Sequence, residues 1–185
     1  MNVLDIRVLG DPVLREDTRP VTTITDELRA LARDMFDTMH VAKGIGLAAP
    51  QVGRSERMAV VHVEENRLVI INPEVIHDEG KEKAEEGCLS IPDIYGDVER
   101  PAKVRVRATD LDGKQFEVDA EGLFARCLQH EIDHLHGKLF LDYLSVLKRR
   151  AALAKWGKEK DKYPGFIRTL EADPAKAHAH PDEEL

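Results

Sequence analysis

The chain has 185 residues, 42% of them apolar, which is the size and composition of a single domain with a substantial core. Its net charge of −8 argues against a protein that wraps nucleic acid or reads a base sequence, and no apolar run approaches the ~20 residues of a membrane span. The N-terminus has no pattern of a secretory leader and only two cysteines occur, Cys88 and Cys127, so we expect a reducing, cytoplasmic location.

The first predicted elements are a turn at Gly10-Asp11-Pro12 and an extended stretch that runs to Thr23. A helix is predicted from Thr25, because threonine is a good N-cap residue and the next two residues are acidic. Apolar side chains recur along it at helical spacing, and this stripe ends before Gly44. The stripe consists of Leu28, Leu31, Met35, Phe36 and Met39.

Two β-hairpins are predicted in the middle of the chain. The first joins the apolar runs 58–63 and 68–71 through a polar connection, and Asn72-Pro73 is expected to end its second strand. The second joins residues 104–108, which alternate between apolar and basic side chains, to a partner strand at 115–118 through an Asp-Gly turn.

Two further helices are predicted at Glu121–His136 and Ser145–Lys162, the first of which stops at a glycine. This order of elements indicates an α+β fold, with antiparallel β-sheets around a central metal-binding helix and with an N-terminal and a C-terminal helix. We expect one catalytic domain over residues 1–165. Residues 166–185 are predicted to be a disordered tail, because most of them are polar and show no apolar period.

The central helix carries the sequence His130-Glu131-Ile132-Asp133-His134, which is typical of a metal site. Residues four apart lie on the same face of a helix, so both imidazoles can bind one ion while Glu131 stands beside them as a base. Leu123 and Cys127 share this face with the two histidines, which indicates that the ligands project towards the protein interior.

A catalytic metal site usually has a third protein ligand and one open position. The best donor is Cys88, because Cys127 would have to chelate from the same helix in a strained way, and a third histidine at metzincin spacing is absent since position 140 is Phe. A structural site with four protein ligands, closed by Cys127 or His136, remains an alternative. A peptidase that cleaves internal bonds is another.

Three segments resemble the signature motifs of the peptide deformylase family, in the same order and at similar separations. They are Gly44–Gln51, Glu86–Ser90 and Gln129–Leu135, and the resemblance covers roughly residues 3 to 165 with no departure at a motif position. It implies removal of the formyl group from the N-terminal methionine of nascent polypeptides. It also implies that Cys88, His130 and His134 bind one divalent metal, Fe(II) in the cell, with Zn, Ni or Co as substitutes.

The resemblance also implies roles for residues around the metal. Glu131 would act as general base and then general acid, and Gln51 and the backbone N–H of Leu89 would donate hydrogen bonds to the oxyanion. Glu86 and Arg100 resemble a pair that braces the cysteine loop of this family.

Substrate-binding residues are expected next to the ligand helix. Gly44 and Gly46 can let the backbone approach a peptide or adopt positive φ. Ile45, Leu123 and Cys127 are candidates for an apolar pocket that receives the methionine side chain.

The predicted helix at 145–162 is rich in lysine and arginine although the whole chain is acidic. In some members of the family a basic C-terminal helix docks on the ribosome. We therefore hypothesise that this helix binds ribosomal RNA phosphates, as a salt-sensitive contact that reads no sequence.

Overall fold

A computed structural model describes residues 1–171 of the chain. This part contains the α-helices α1 (Asp26–Val41), α2 (Gly122–His134) and α3 (Val146–Glu159). Its strands are β1 (Ile6–Arg7), β2 (Gly46–Ala48), β3 (Met58–Val63), β4 (Asn66–Glu79), β5 (Glu82–Cys88), β6 (Ile91–Arg100), β7 (Lys103–Thr109), β8 (Gln115–Glu121) and β9 (Ile167–Arg168). None of the helices in residues 1–171 is long and apolar enough to cross a membrane.

The strands form three β-sheets, and all strand pairs within them are antiparallel. Strands β2, β3, β4, β7 and β8 form a five-stranded sheet in that order, β5 and β6 form a hairpin, and β1 pairs with β9. The predicted α+β class is confirmed. The two predicted hairpins are present as β3–β4 and β7–β8, which neighbour one another in the five-stranded sheet.

The five-stranded sheet separates two apolar layers, because side chains alternate along each strand. On β3, Val61 and Val63 belong to a cluster with Leu128 and Ile132 of α2. Val60, from the other face of the same strand, belongs to a cluster with the apolar stripe of α1. The helix α2 is therefore a core element, and its polar residues must be satisfied inside the protein.

Local capping explains where the first and last helices begin. Thr25 accepts a hydrogen bond from the Leu28 N–H at 3.1 Å, and Ser145 accepts one from the Lys148 N–H at 3.3 Å. Both predicted N-termini are confirmed within one residue. The helix α3 is shorter than the predicted 145–162, and its Trp156 anchors it by packing into a third apolar cluster and donating to the Leu9 carbonyl at 3.2 Å.

The expectation that Asn72-Pro73 ends a strand is wrong. Strand β4 continues to Glu79, because the pairing with β7 shifts register between Ile71 and Glu74 and so accommodates a proline that lacks an N–H. Asn72 adopts a positive φ of 50° there. Its side-chain amide stabilises this bulge by accepting from the Val21 N–H and donating to the Val21 carbonyl, both at 2.8 Å.

Two other parts of the chain differ from the expected local structure. The stretch after Pro12 is not extended throughout, because Asp11 caps a short 3₁₀ helix at Pro12–Arg15. Ile167 and Arg168 pair with β1, so this short part of the predicted tail belongs to the folded domain. Residues 172–185 lie outside the described residues.

Gly137 ends the turn after α2 and is predicted to be sensitive to substitution. Its φ is +71°, and an added Cβ would lie 2.6 Å from the backbone oxygen of Arg15. We expect Gly137→Ala to lower the free energy of unfolding of the metal-free protein in urea by at least the roughly 1–3 kcal/mol that a left-handed non-glycine residue costs. Gly165→Ala is the control, since Gly165 has a φ of +68° and open space around it. An equal loss in both variants would show that the contact with Arg15 adds nothing.

Candidate metal centre

The helix α2 places its two histidines on one buried face. The Nε2 atoms of His130 and His134 lie 3.2 Å apart, and the rings meet edge to face. Both side chains are buried, with 7% and 1% of their surface exposed. The predicted convergence of the two imidazoles is therefore present in the structure, and it follows from their spacing of one helical turn.

Cys88 reaches these histidines from the end of β5. Its Sγ lies 3.3 Å from the His134 Nε2, and one ligand atom from each of Cys88, His130 and His134 lies within 4.8 Å of the others. A tight turn at Leu89–Ser90 reverses the chain into β6 directly after the cysteine. The hairpin thus holds the thiol at its closed end, against the helix.

The two alternative donors lie elsewhere. The Cys127 Sγ is 3.6 Å from the Ile45 carbonyl oxygen, and burial followed by repulsion from Glu131 raises the pKa of this thiol. His136 is exposed and contacts Asp17 at 2.8 Å. Neither belongs to the ligand group found within residues 1–171, so the geometry does not favour a closed site with four protein ligands.

Glu86 orients the first imidazole. Burial alone would raise the pKa of this carboxyl, but hydrogen bonds from His130 and Arg100 outweigh burial and hold the pKa well below its usual range. The carboxylate therefore only accepts, and the His130 Nδ1–H donates to its Oε1 at 2.9 Å. This contact leaves the Nε2 of His130 facing Cys88 and His134.

Burial and charge act on the two imidazoles in different ways. Burial would lower the pKa of His130, but its contacts with Cys88 and Glu86 raise the pKa well above its usual value. For His134, burial and the neighbouring His130 lower the pKa well below its usual value. A neutral His134 keeps a lone pair available on its Nε2.

These residues fit a divalent transition metal. The Glu131 Oε2 beside these ligands is buried and has no hydrogen-bond partner in the described part of the chain, which is costly unless a further group, such as a water, satisfies it. A sulfur and two imidazole nitrogens are ligands that Zn, Fe, Ni and Co accept. Nitrogens 3.2 Å apart can both reach one ion, since metal–nitrogen bonds are about 2.0–2.1 Å long.

Glu131 lies beside the ligands on α2, with 4% of its surface exposed. Burial raises the pKa of its carboxyl to about 7, the range in which a carboxyl can take up and release a proton at neutral pH. An added Cβ at Gly46 would lie 2.6 Å from the Glu131 Oε1 and 2.9 Å from the Cys127 Sγ. Strand β2 therefore passes directly over the carboxylate, and a side chain at position 46 would require Glu131 or Cys127 to move.

Two further predicted site residues, Gln51 and Leu89, lie next to Cys88. The Gln51 Nε2 lies 3.7 Å from the Cys88 Sγ and donates to the Ser90 Oγ at 3.1 Å, while the Gln51 Oε1 accepts from the Ala48 N–H at 2.9 Å. Leu89 follows the cysteine in the hairpin turn. Its side chain would lie 2.6 Å from a Cβ added at Gly44, so this glycine allows the close approach of the two motif segments.

The candidate pocket residues belong to the apolar cluster between α2 and the five-stranded sheet. Ile45 and Cys127 are buried members of this cluster, and Leu123 is a partly buried residue that packs against it. Neither Gly44 nor Gly46 has a positive φ. Positive φ is therefore not the reason for these glycines. The backbone there lies close to Leu89 and Glu131 of the protein itself, and its approach to a peptide stays a prediction.

Sequence reasoning missed three residues that complete the surroundings of the ligands. Arg126 donates to Glu86 at 2.7 Å from the buried face of α2. Asp133 accepts from Arg100 at 2.9 Å and from the Tyr143 hydroxyl at 2.7 Å. Only Arg126 had a usable signal, because it lies four residues before His130 and therefore on the ligand face.

Comparison with known proteins gives a consistent assignment. A family model described as polypeptide deformylase matches residues 3–150. The chain is 54% identical over 154 residues to the peptide deformylase of Alkalilimnicola ehrlichii, covering 81% of this chain and 86% of that protein. Over 174 residues it is 51% identical to the peptide deformylase of Mesorhizobium japonicum, covering 90% and 99% of the two chains.

Solved structures agree with this result. The crystal structure of a peptide deformylase from Legionella pneumophila superposes with a TM-score of 0.83 at 48% identity, covering 86% of this chain and 96% of that chain. A Synechococcus elongatus peptide deformylase in complex with actinonin gives a TM-score of 0.80 at 47% identity, covering 83% and 88%. The chain therefore belongs to the peptide deformylase family, the metal-dependent hydrolases that remove the formyl group from the N-terminus of nascent polypeptides.

Proposed function

We propose that this chain deformylates N-formylmethionyl peptides at a centre in which Cys88, His130 and His134 bind one metal ion and Glu131 transfers the proton. The observation that carries this proposal is the buried ligand group, whose three donor atoms lie within 4.8 Å of one another beside a carboxyl whose burial raises its pKa to about 7. The open side of this group is where the reacting carbonyl would lie.

Glu131 is the proposed carrier of the proton, first as acceptor and then as donor. A divalent metal held by Cys88, His130 and His134 would lower the pKa of a coordinated water towards ~7 and would polarise the formyl carbonyl. Glu131 accepts the proton that the water loses as its oxygen adds to the formyl carbon. It then delivers this proton to the amine nitrogen as the C–N bond breaks, which gives formate and a free N-terminus.

Gln51 and the backbone N–H of Leu89 are the proposed donors to the oxygen that gains charge. The Gln51 amide is held by Ala48 and Ser90, so its donor atom is fixed near the cysteine before the substrate arrives. A preorganised donor of this kind contributes roughly 2.7–4 kcal/mol to transition-state stabilisation.

The formylmethionine side chain is proposed to enter between β2 and α2. Ile45, Leu123 and Cys127 are the apolar residues proposed to contact it, since they belong to or pack against the cluster between α2 and the five-stranded sheet. An unbranched thioether fits an apolar site of this composition.

The proposed metal in the cell is Fe(II), and Zn, Ni or Co can replace it. One thiolate and two imidazoles accept all four ions, and Fe(II) has the lowest affinity of them in the Irving–Williams order. The metal found after purification therefore reflects availability and oxidation. The proposed location is the cytoplasm, where the two unpaired cysteines stay reduced and nascent formylated chains are present.

Replacing the proposed proton carrier is the direct test of this function. We expect Glu131→Gln to lower the rate of formate release from formyl-Met-Ala by about 10²–10⁴-fold, while the metal content per chain stays at the parent level. Glu117→Gln, at an exposed position on β8, is the matched control and is expected to have the parent rate. A Glu131→Gln enzyme with parent activity would show that the base lies elsewhere.

Replacing the proposed sulfur ligand tests the metal assignment. We expect Cys88→Ser to lose metal during dialysis against a chelator that leaves the parent loaded, because a hydroxyl is a poorer ligand than a thiolate for these ions. Cys127→Ser is the control, since that sulfur lies outside the ligand group. Metal retention by Cys88→Ser, measured by atomic emission, would count against ligation by this residue.

We also propose that α3 docks on the ribosome. Lys148, Arg150, Lys158 and Lys160 are exposed on or directly after this helix, and Trp156 is its only buried residue. An exposed basic helix on an acidic chain is suited to a surface of RNA phosphates.

Charge reversal tests this docking. We expect changing these four residues to Glu to abolish co-sedimentation with ribosomes at low salt without changing formate release from a free peptide. The control reverses four exposed lysines away from α3, at positions 81, 83, 103 and 114, and so alters the net charge equally. If both variants lose binding to the same extent, the net charge of the chain and not α3 is responsible.

A further inference from the structure

Glu86 is the most heavily hydrogen-bonded carboxylate of the site, and its side chain is fully buried. Arg100 donates to it through Nε at 2.6 Å and Nη2 at 2.9 Å, and His130 donates through Nδ1 at 2.9 Å. A second arginine, Arg126, adds a fourth contact through Nη1 at 2.7 Å. One carboxylate therefore binds two guanidinium groups and one metal-ligand candidate.

Arg126 also has contacts that Arg100 does not share. Its Nη1 donates to the Val98 carbonyl on β6 and its Nη2 donates to the Glu82 carbonyl on β5, both at 2.8 Å. The side chain starts from α2 and is buried, so it joins the ligand helix to both strands of the hairpin that carries Cys88.

Arg126 adds a second guanidinium to a largely buried network of ion pairs. Arg126 and Arg100 face Glu86 and Asp133, and the His130 ring also contacts Glu86. Without Arg126, Glu86 would keep only Arg100 and His130, and two backbone carbonyls of the hairpin would lose a donor. Leaving buried polar groups with fewer partners is costly, so the contact between the hairpin and the helix would loosen.

The geometry relates Arg126 directly to the ligands. Arg126 and His130 are four residues apart and lie on one face of α2, and Glu86 and Cys88 are two residues apart on β5. The Arg126–Glu86 contact thus lies beside the contact of His130 with Cys88, across the same helix–hairpin interface.

We propose that Arg126 is a positioning residue of the metal centre. It fixes the Glu86 carboxylate that orients the His130 ring, and it sets the distance between α2 and the cysteine hairpin. This inference rests on the ligand set proposed above, because the effect of Arg126 on the metal is exerted through His130 and Cys88.

The test measures the affinity for Zn(II) by chelator competition and the visible spectrum of the Co(II)-loaded protein, which reports the ligand field at the ion. We expect Arg126→Met to raise the dissociation constant for Zn(II) by about 10–100-fold, as removal of an outer-shell partner does in metal sites. Its Co(II) bands should shift, and kcat of the metal-saturated enzyme should fall while KM changes little. Arg126→Lys keeps the charge but cannot reach three acceptors at once. Its affinity for Zn(II) should therefore lie between those of the parent and of Arg126→Met.

Arg107→Met is the matched control, because Arg107 pairs with acidic residues on the exposed side of the sheet and should leave the affinity and the spectrum unchanged. Urea unfolding of the metal-free variants separates a loss of stability from a loss of metal affinity. If Arg126→Met does not fold, the affinity and spectrum of Arg126→Lys decide the question. Parent values in the folded Arg126 variants overturn the inference.

A double-mutant cycle tests whether Arg126 acts through Glu86. We expect Arg126→Met combined with Glu86→Gln to weaken Zn(II) binding little more than Glu86→Gln alone, because the shared contact is already lost. If the double variant instead shows the product of the two single increases in the dissociation constant, Arg126 acts independently of Glu86. That result would overturn the proposed action of Arg126 through Glu86. Failure of the ligand set gives a different result, namely a Cys88→Ser variant with parent affinity.

Discussion

The contact between the buried face of α2 and the β5–β6 hairpin is the constraint on which the rest of the site depends. The helix supplies two imidazoles and the hairpin supplies the sulfur, and the two elements are 42 residues apart in sequence between Cys88 and His130. A ring contact inside one helix needs only helical geometry, but a third ligand from another element needs a fixed interface. The salt-bridge network around Glu86 supplies that interface, with three bonds from two arginines and one from His130.

A second constraint is steric and comes from strand β2. Strand β2 crosses Glu131 so closely that a methyl group at Gly46 would overlap with the carboxylate and with Cys127. This packing covers Glu131 from the β2 side, and burial raises the pKa of its carboxyl to about 7. Gly46 thus has an electrostatic consequence, because the absence of a side chain there lets β2 bury the Glu131 carboxyl.

The parts of the fold that follow local rules could be predicted from the sequence. Thr25, as an N-cap, predicted the start of α1, and the alternation of side chains with an Asp-Gly turn predicted β7 and β8. The two ligand histidines could also be predicted, since their spacing is a property of one helix. Cys88 was only a candidate on its own, and it became a definite expectation through the family resemblance of its motif.

Other parts could not be predicted, for physical reasons. The hairpin β5–β6 is rich in charged residues, and its strands bury only some of their side chains, so no apolar period marks them. Strand β4 passes through Asn72-Pro73 because a tertiary contact with Val21 stabilises the bulge, and local propensity cannot include that contact. The spacing of Arg126 from His130 places it on the ligand face, but its three acceptors come from two other strands, and the sequence does not identify them.

Buried ion pairs contribute little to net stability, because the cost of removing charges from water offsets most of their attraction. Their value in this chain is better explained by specificity. If α2 slid by one turn along the hairpin, Glu86 would lose its arginines and His130 would lose the acceptor of its Nδ1–H, whereas apolar packing alone would tolerate such a shift at a smaller cost. A network with several unsatisfied groups in every wrong register therefore selects the one register in which the sulfur and the two imidazoles meet.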